Sequence, residues 1–416
     1  MTEIEQKNYE LYKMKFEASP TLFTESLAND YMKLLKSLDM VEEACLVGET
    51  FLNEVPELKQ YINQYGYVLY NTYINVEDEK IKADLDTFFE KVEKIISMCK
   101  PERFSPFNAT LNKAIRVVTN SNPIDYSRLI ELLGNYEVSD LSMEPFTNKE
   151  GKEFESQKER YYRLLVRALY ETKQYEECIT QANIAYSLNL KWHYNAQSWI
   201  AYYRALSLVE TKDYVEAKHA FLSLQNRIRG VDFNDVLYTV FSENGDQKEA
   251  NIYLLHAFFE KGYSIDHLEM YKKLLAAITK TEKEELISCV DEFISALTKE
   301  KNIAYTALKE YETTASSSDL YDIVYNKVMT NLSLLVERKE ASVVYYNDKS
   351  KIGTIGSDYK EDGIFFRQAD FVYDEDVQKR DKVEYTVLPT FDNKKQTISS
   401  KAILIVTTEE YVDFGF

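Results

Sequence analysis

Large apolar and small residues recur at helical intervals through the middle of the chain. In YRLLVRALYETKQYEECITQANIAYSLNL, Tyr162, Leu165, Leu169, Tyr175, Cys178, Ala182 and Ala185 fall at the spacings of two antiparallel helices. The segment WIAYYRALSLVETKDYVEAKHAFLSL repeats the turn as Lys212-Asp213-Tyr214, followed by Ala217 and Phe221. A third, VLYTVFSENGDQKEANIYLLHAFFEKG, repeats it as Gly245-Asp246-Gln247, followed by Ala250 and Leu254. From Tyr175 to Tyr214 to Gln247 the offsets are 39 and 33. A weaker copy reads MYKKLLAAITKTEKEELISCVDEFISAL, and YMKLLKSLDMVEEACLVGETFLNEVPE near the start carries Ala44 at the small position and Pro56 at its end. Between about Asn71 and Asn148 the pattern lapses, and helices are expected without a repeat.

Proline and glycine divide the chain. Pro20, Pro56, Pro101, Pro106, Pro123 and Pro145 precede a long proline-free span that ends only at Pro389, as a succession of helices requires. The polar stretch TTASSSDL interrupts it at Thr313, with Ser318 as the expected N-cap of a further amphipathic helix that covers the apolar end of the array. After residue 340 the period changes from helical to alternating. ASVVYYN, KIGTIG, GIFFRQADF, DKVEYTVLPT and KAILIVTT read as five short strands, with Gly353, Gly356 and Gly363 at their turns and bulges.

These patterns resemble two families. The helical pairs, clearest over 158–262, resemble tetratricopeptide repeats, in which small residues such as Cys178 and Ala185 let one helix approach the next. ASVVYYNDKSKIGTI, GIFFRQADF and VQKRDKVEYTV resemble the first four strands of a cold-shock domain. The expected fold is mostly α, a tetratricopeptide-like helical-repeat solenoid followed by a small five-stranded OB-type β-barrel. The expected boundaries are a repeat domain over 1–312, a linker and capping helix over 313–340, and the cold-shock-like domain over 341–416.

The cold-shock resemblance implies a stacking face for single-stranded RNA or DNA. Tyr345 falls at the strand-one aromatic and Phe365 at the strand-three aromatic, while Arg367 replaces the family's histidine. Ile352 and Thr354 stand where strand two carries its aromatics, so half of the stacking surface is missing. Each aromatic–base stack is worth about 1–3 kcal/mol, so weak binding is expected, with Lys349, Lys351 and Lys382 as a local basic patch. The tetratricopeptide resemblance implies a partner groove at Arg160, Arg163, Arg167, Tyr170, Trp199 and Tyr202. Arginine forks there suit an acidic peptide or subunit of a complex, or a nucleic-acid backbone, or the same arginines pair with neighbouring Glu.

Charge narrows the choice of partners. Fifty Lys plus Arg against 69 Asp plus Glu give a net charge of −19, which excludes a basic nucleic-acid-coating protein. From Ala341 to Thr408 ten basic residues face eleven acidic ones, so the negative charge sits mostly in the helices. Cys45, Cys99, Cys178 and Cys289 lie far apart without zinc or disulfide spacing, and no apolar run approaches the ~20 residues of a membrane helix. A cytoplasmic protein without membrane contact is expected. His193, His219, His256 and His267 form no metal motif, and GxSxG, P-loop and GxGxxG are absent, so no catalytic residue, metal or cofactor is assigned. The expected function is a non-enzymatic scaffold that holds a protein partner and touches single-stranded nucleic acid. The alternative is an assembly or regulatory subunit whose modules both bind protein, by analogy with accessory components of bacterial stress or phage-defence operons.

Overall fold

The computed structural model describes residues 2–225, 227–312, 314–356, 363–373, 376–392 and 394–409. Thr313, which opens the expected linker, and the acidic chain end after Glu409 lie outside the described residues. The chain divides into two compact units, Met1–Gln174 and Tyr175–Phe416.

The first unit contains α1 (Glu3–Ala18), α2 (Glu25–Ser37), α3 (Val41–Glu54), α4 (Ile62–Leu69, continued by a π turn to Ile74), α5 (Asp78–Ala83), α6 (Leu85–Met98), α7 (Phe107–Thr119), α8 (Tyr126–Leu133) and α9 (Gln157–Glu171). Apolar spacing sets the buried faces: Ala28, Tyr31, Met32 and Leu35 point inward from α2, and Ala44, Val47, Gly48 and Phe51 from α3. Gly48 is the small residue that matters most here. A Cβ on it would lie 2.7 Å from the Tyr65 ring, so only glycine lets α4 come this close. The span from 71 is helical as expected as far as Leu133. Its end at 146–147 instead opens a two-stranded hairpin that the pattern did not predict, β1 (Phe146–Thr147) paired with β2 (Glu153–Phe154).

The second unit begins with α10 (Tyr175–Ser187), α11 (Ala196–Glu210), α12 (Tyr214–Leu224), α13 (Phe233–Glu243), α14 (Gln247–Lys261), α15 (Leu268–Thr279), α16 (Glu284–Glu300), α17 (Ser317–Thr330) and α18 (Leu332–Leu335). One turn geometry recurs between consecutive helices. Lys212, Gly245 and Glu282, each two residues before the next helix, take φ of 65, 88 and 59°. In the first two, the following N–H groups of Asp213 and Asp246 reach back to the carbonyls of Leu208 and Phe241 at 2.8 Å, closing the helix end in a Schellman motif. The same device ends α2 of the first unit, with Asp39 at φ 55° and Met40 N–H bonded to Leu35 at 3.0 Å. Ala217, Phe221, Ala250 and Leu254, the small and large residues that marked the repeats, are all buried.

Helix α17 starts earlier than its sequence suggests. Ser316, not Ser318, caps it by accepting the Asp319 N–H at 3.2 Å, because Ser317 is held inside by Glu300, whose carboxylate takes its N–H at 2.8 Å and its hydroxyl at 2.5 Å. The segment before it is pinned by buried Asp291, which accepts from Tyr305 Oη at 2.6 Å, Tyr311 Oη at 2.7 Å and the Leu308 N–H at 2.8 Å.

Five strands then close a barrel: β3 (Lys339–Asn347), β4 (Ile352–Gly356), β5 (Ile364–Arg367), β6 (Lys382–Asp392) and β7 (Thr397–Glu409). Their order is β3-β4-β5-β7-β6, with β6 returning to β3 and a parallel pairing between β5 and β7, compatible with an OB-type barrel. The chain is therefore mostly α with a small closed barrel, as its pattern predicts. Val343, Ile355, Phe366, Val383, Tyr385, Ala402 and Ile405 fill the barrel. Gly353 faces Phe366 across the strand pair, and a Cβ there would meet the ring at 2.5 Å.

Strands β6 and β7 outlast the barrel and lie against the helices. Leu388, Ile403 and Leu404 join the core of α11–α18, whereas Tyr385, Ala402 and Ile405 belong to the barrel. A bulge makes this switch: between the pairs Glu384–Val406 and Thr386–Ile403 strand β7 carries one extra residue, and Leu404 there has φ of 51°. Arg338 enters the bulge from the start of β3. Its guanidinium donates to the Leu404 carbonyl at 2.7 Å, the Glu384 carbonyl at 3.0 Å and Thr386 Oγ1 at 3.0 Å. Pro389 is accommodated in β6 because this stretch is unpaired on its other edge, where the Pro389 carbonyl accepts from Tyr253 Oη at 3.0 Å.

Replacing Arg338 by Leu removes the donor to three part-buried acceptors and the cation beside the Glu384 carboxylate. We expect Arg338→Leu to lose about 3–5 kcal/mol in denaturant unfolding of the full chain. A loss below about 1 kcal/mol would show that the bulge does not depend on the guanidinium.

Candidate functional site

The sheet register assembles the aromatic positions. Tyr345 pairs with Thr354, and Thr354 with Phe365, so the three form one row across β3, β4 and β5. Asn347, Ile352 and Arg367 form the next row on the same face. The intervening row, Tyr346, Gly353 and Phe366, points inward, with the rings of Tyr346 and Phe366 stacked at 6.1 Å. A β-bulge between Val343 and Tyr345 resets the alternation, and so Val343 is buried while Tyr345 remains 53% exposed. Phe365 is 37% exposed. Both rings are thus held on rigid strands with a face open to solvent, a platform for planar groups.

The charged candidates distribute unevenly around this face. Arg367 belongs to its second row and is exposed. Lys349 and Lys351 sit in the β3–β4 turn, whose tight form is fixed by Asn347 Oδ1 accepting from the Lys349 and Ser350 N–H groups at 3.0 and 3.1 Å. Lys351 also pairs with Asp348 at 2.6 Å, which raises its pKa. Lys382 lies apart, opposite Ser342 on the β3–β6 side, and pairs with Glu409 at 2.5 Å.

The groove candidates divide between the two units. Arg160, Arg163, Arg167 and Tyr170 lie on α9 of the first unit, and Trp199 and Tyr202 on α11 of the second. Arg163 forks onto Glu155, with bonds of 2.9 and 2.7 Å. Arg160 donates to Asn112 Oδ1 at 3.4 Å, and the Arg167 guanidinium lies over the Tyr126 ring at 5.5 Å and 3.8 Å from Glu171. These arginines therefore engage their own unit. Trp199 and Tyr202 meet edge to face at 5.8 Å, and Tyr202 packs onto Phe221 at 6.0 Å as part of the helical core.

A second feature was invisible to motif reading. Within the second unit, a cleft of about 770 Å³ opens between the β5 and β7 side of the barrel and helices α13, α14 and α17. Asp370 is nearly buried in it, accepting from Lys401 Nζ and from the Arg367 N–H at 2.5 and 2.6 Å. His256 faces the cleft from α14, with Nδ1 3.4 Å from Asn234 Oδ1 and 3.7 Å from Glu260. Burial pushes its imidazole below the ordinary value, and Lys401 adds to this against the opposing pull of Glu260 and Asp370. Residues Asn234, His256, Asp370 and Lys401 meet only through the packing of barrel on helix. A regular spacing for them does not exist in the sequence.

No protein-family model matches the chain, and no curated protein is similar to it. No helix among the described residues is long and apolar enough to cross a membrane.

Burial in the cleft favours the neutral form of His256. An NMR titration of the full chain should give a His256 pKa below the ordinary 6.5. Because the folded value is depressed, stability is lost as pH falls through about 6.5 and below, and His256→Gln should lessen that dependence. A measured pKa at or above 6.5 would mean that the cleft does not desolvate the ring.

Proposed function

We propose that this protein is a non-enzymatic scaffold whose barrel binds single-stranded RNA or DNA weakly, in the manner of a cold-shock domain. Its tetratricopeptide-like helical pairs would hold a protein partner. The row Tyr345–Thr354–Phe365, with two exposed rings on adjacent positions of the same sheet face, carries the reading. Neither ring is required by the barrel core, which is built from the opposite face. Two stacks at about 1–3 kcal/mol each, with Arg367 beside them, support a modest affinity. The net charge of −19 works against a polyanion, so the contacts are local and salt would weaken them. The recurring Schellman turns and the buried Ala217 and Ala250 support the helical-pair reading.

The acidic-peptide groove receives less support, since Arg163 is already satisfied by Glu155. That observation leaves room for the second reading, an assembly or regulatory subunit whose modules both bind protein, through apolar rather than charged contacts. Effective concentration would let two modest contacts act together in either case.

Fluorescence anisotropy of the full chain with a labelled mixed-sequence single strand at low salt tests the first reading. Saturable binding is expected, weakened about 5- to 150-fold in Tyr345→Ala and in Phe365→Ala. Absence of binding would leave the protein-only reading, and binding as tight in both variants as in the unaltered chain would overturn the stacking face.

A further inference from the structure

The aromatic face and the cleft meet at Arg367, which stands in the second row of the one and lines the other. Phe365, two residues before Arg367 on the same face, is paired across the parallel strands with Lys401, which also lines the cleft. A chain of nucleotides stacked on Tyr345 and Phe365 therefore has its next unit at this opening. The volume of about 770 Å³ lies within the range of small-molecule sites, about 300–1,000 Å³.

The chemistry of the lining selects the occupant. Phe259 and Tyr325, edge to face at 4.9 Å, provide an aromatic wall. Asn234 and His256 bring an amide and an imidazole to the same space, groups that donate to and accept from the edge of a heteroaromatic base. Among the charged residues of the lining, Lys401 is paired with Asp370 and Lys261 with Asp232, which leaves the Glu260 carboxylate beside His256 and the exposed guanidinium of Arg367. Arg367 is a cation that these two pairs do not consume, so the arrangement suits a phosphate on Arg367 and an uncharged ring against the aromatic wall.

Resting on the stacking face described above, we propose that this cleft receives a single nucleotide, its base against Phe259 and Tyr325 within reach of Asn234 and His256, its phosphate on Arg367. The nucleotide comes either from a strand crossing the barrel face or from free nucleoside monophosphate.

Two titrations of the full chain separate these sources: calorimetry with the four nucleoside 5′-monophosphates, and anisotropy with the labelled single strand. Each is repeated in Asn234→Ala, which removes a polar contact, and in Ala369→Trp, which fills the cleft from an exposed position. Circular dichroism verifies that both variants fold. At least one titration should weaken about tenfold or more in both variants. Strand binding that weakens with no monophosphate binding assigns the site to the strand. Monophosphate binding that weakens with no strand binding keeps the cleft site and removes the stacking-face reading. If neither titration responds to either variant, the cleft proposal is overturned, and strand binding that still depends on Tyr345 and Phe365 would leave the stacking face standing alone.

Discussion

The β6–β7 ribbon serves two hydrophobic cores at once, and most of what is distinctive in the second unit follows from that constraint. A regular strand offers one face to each side in strict alternation. Here Ala402 and Ile405 face the barrel while Ile403 and Leu404 face the helices, which regular alternation cannot deliver. The extra residue at Leu404 shifts the phase, and its carbonyl accepts from Arg338. A buried cation is tolerated because it answers several acceptors at a place where the ladder is interrupted. The barrel is consequently built into the helical core of its unit, and the cleft beside β5 and β7 is a product of that junction.

The same barrel leaves its β3–β4–β5 face outside. Glycine 353 allows Phe366 to fill the interior, and the neighbouring rows carry Tyr345, Phe365 and Arg367 outward. Strand rigidity matters for such a face, because rings already fixed lose little freedom on stacking. Thr354 and Ile352 between them limit the platform, and the acidic helices limit the field around it. Both would hold the proposed contact with a strand to modest strength.

Much of this was legible in the chain. Alternation and turn residues located all five barrel strands, and the spacing of Ala217, Phe221, Ala250 and Leu254 located helix pairs that are buried as expected. Tyr345 and Phe365 could be placed on one face because a resemblance supplied their register. Other features escaped for identifiable reasons. The hairpin at Phe146–Phe154 is too short to show a period, although Asn148 and Gly151 mark its turn. Ser316 outcompetes Ser318 as a cap only because Glu300 captures Ser317. Arg338 and the cleft residues Asn234, His256, Asp370 and Lys401 are distant in sequence, and their roles arise from packing that no local pattern encodes. The α9 arginines carried a clear charge signal, but Glu155, Asn112 and Tyr126 decide where they point.

The outward barrel face is the proposed contact for a single strand. Ultraviolet cross-linking of the full chain to a single strand, with the adducts mapped by mass spectrometry, reads that contact directly. Adducts on Tyr345 and Phe365 are predicted. Adducts confined to the helices before residue 339, or none at low salt, would contradict it.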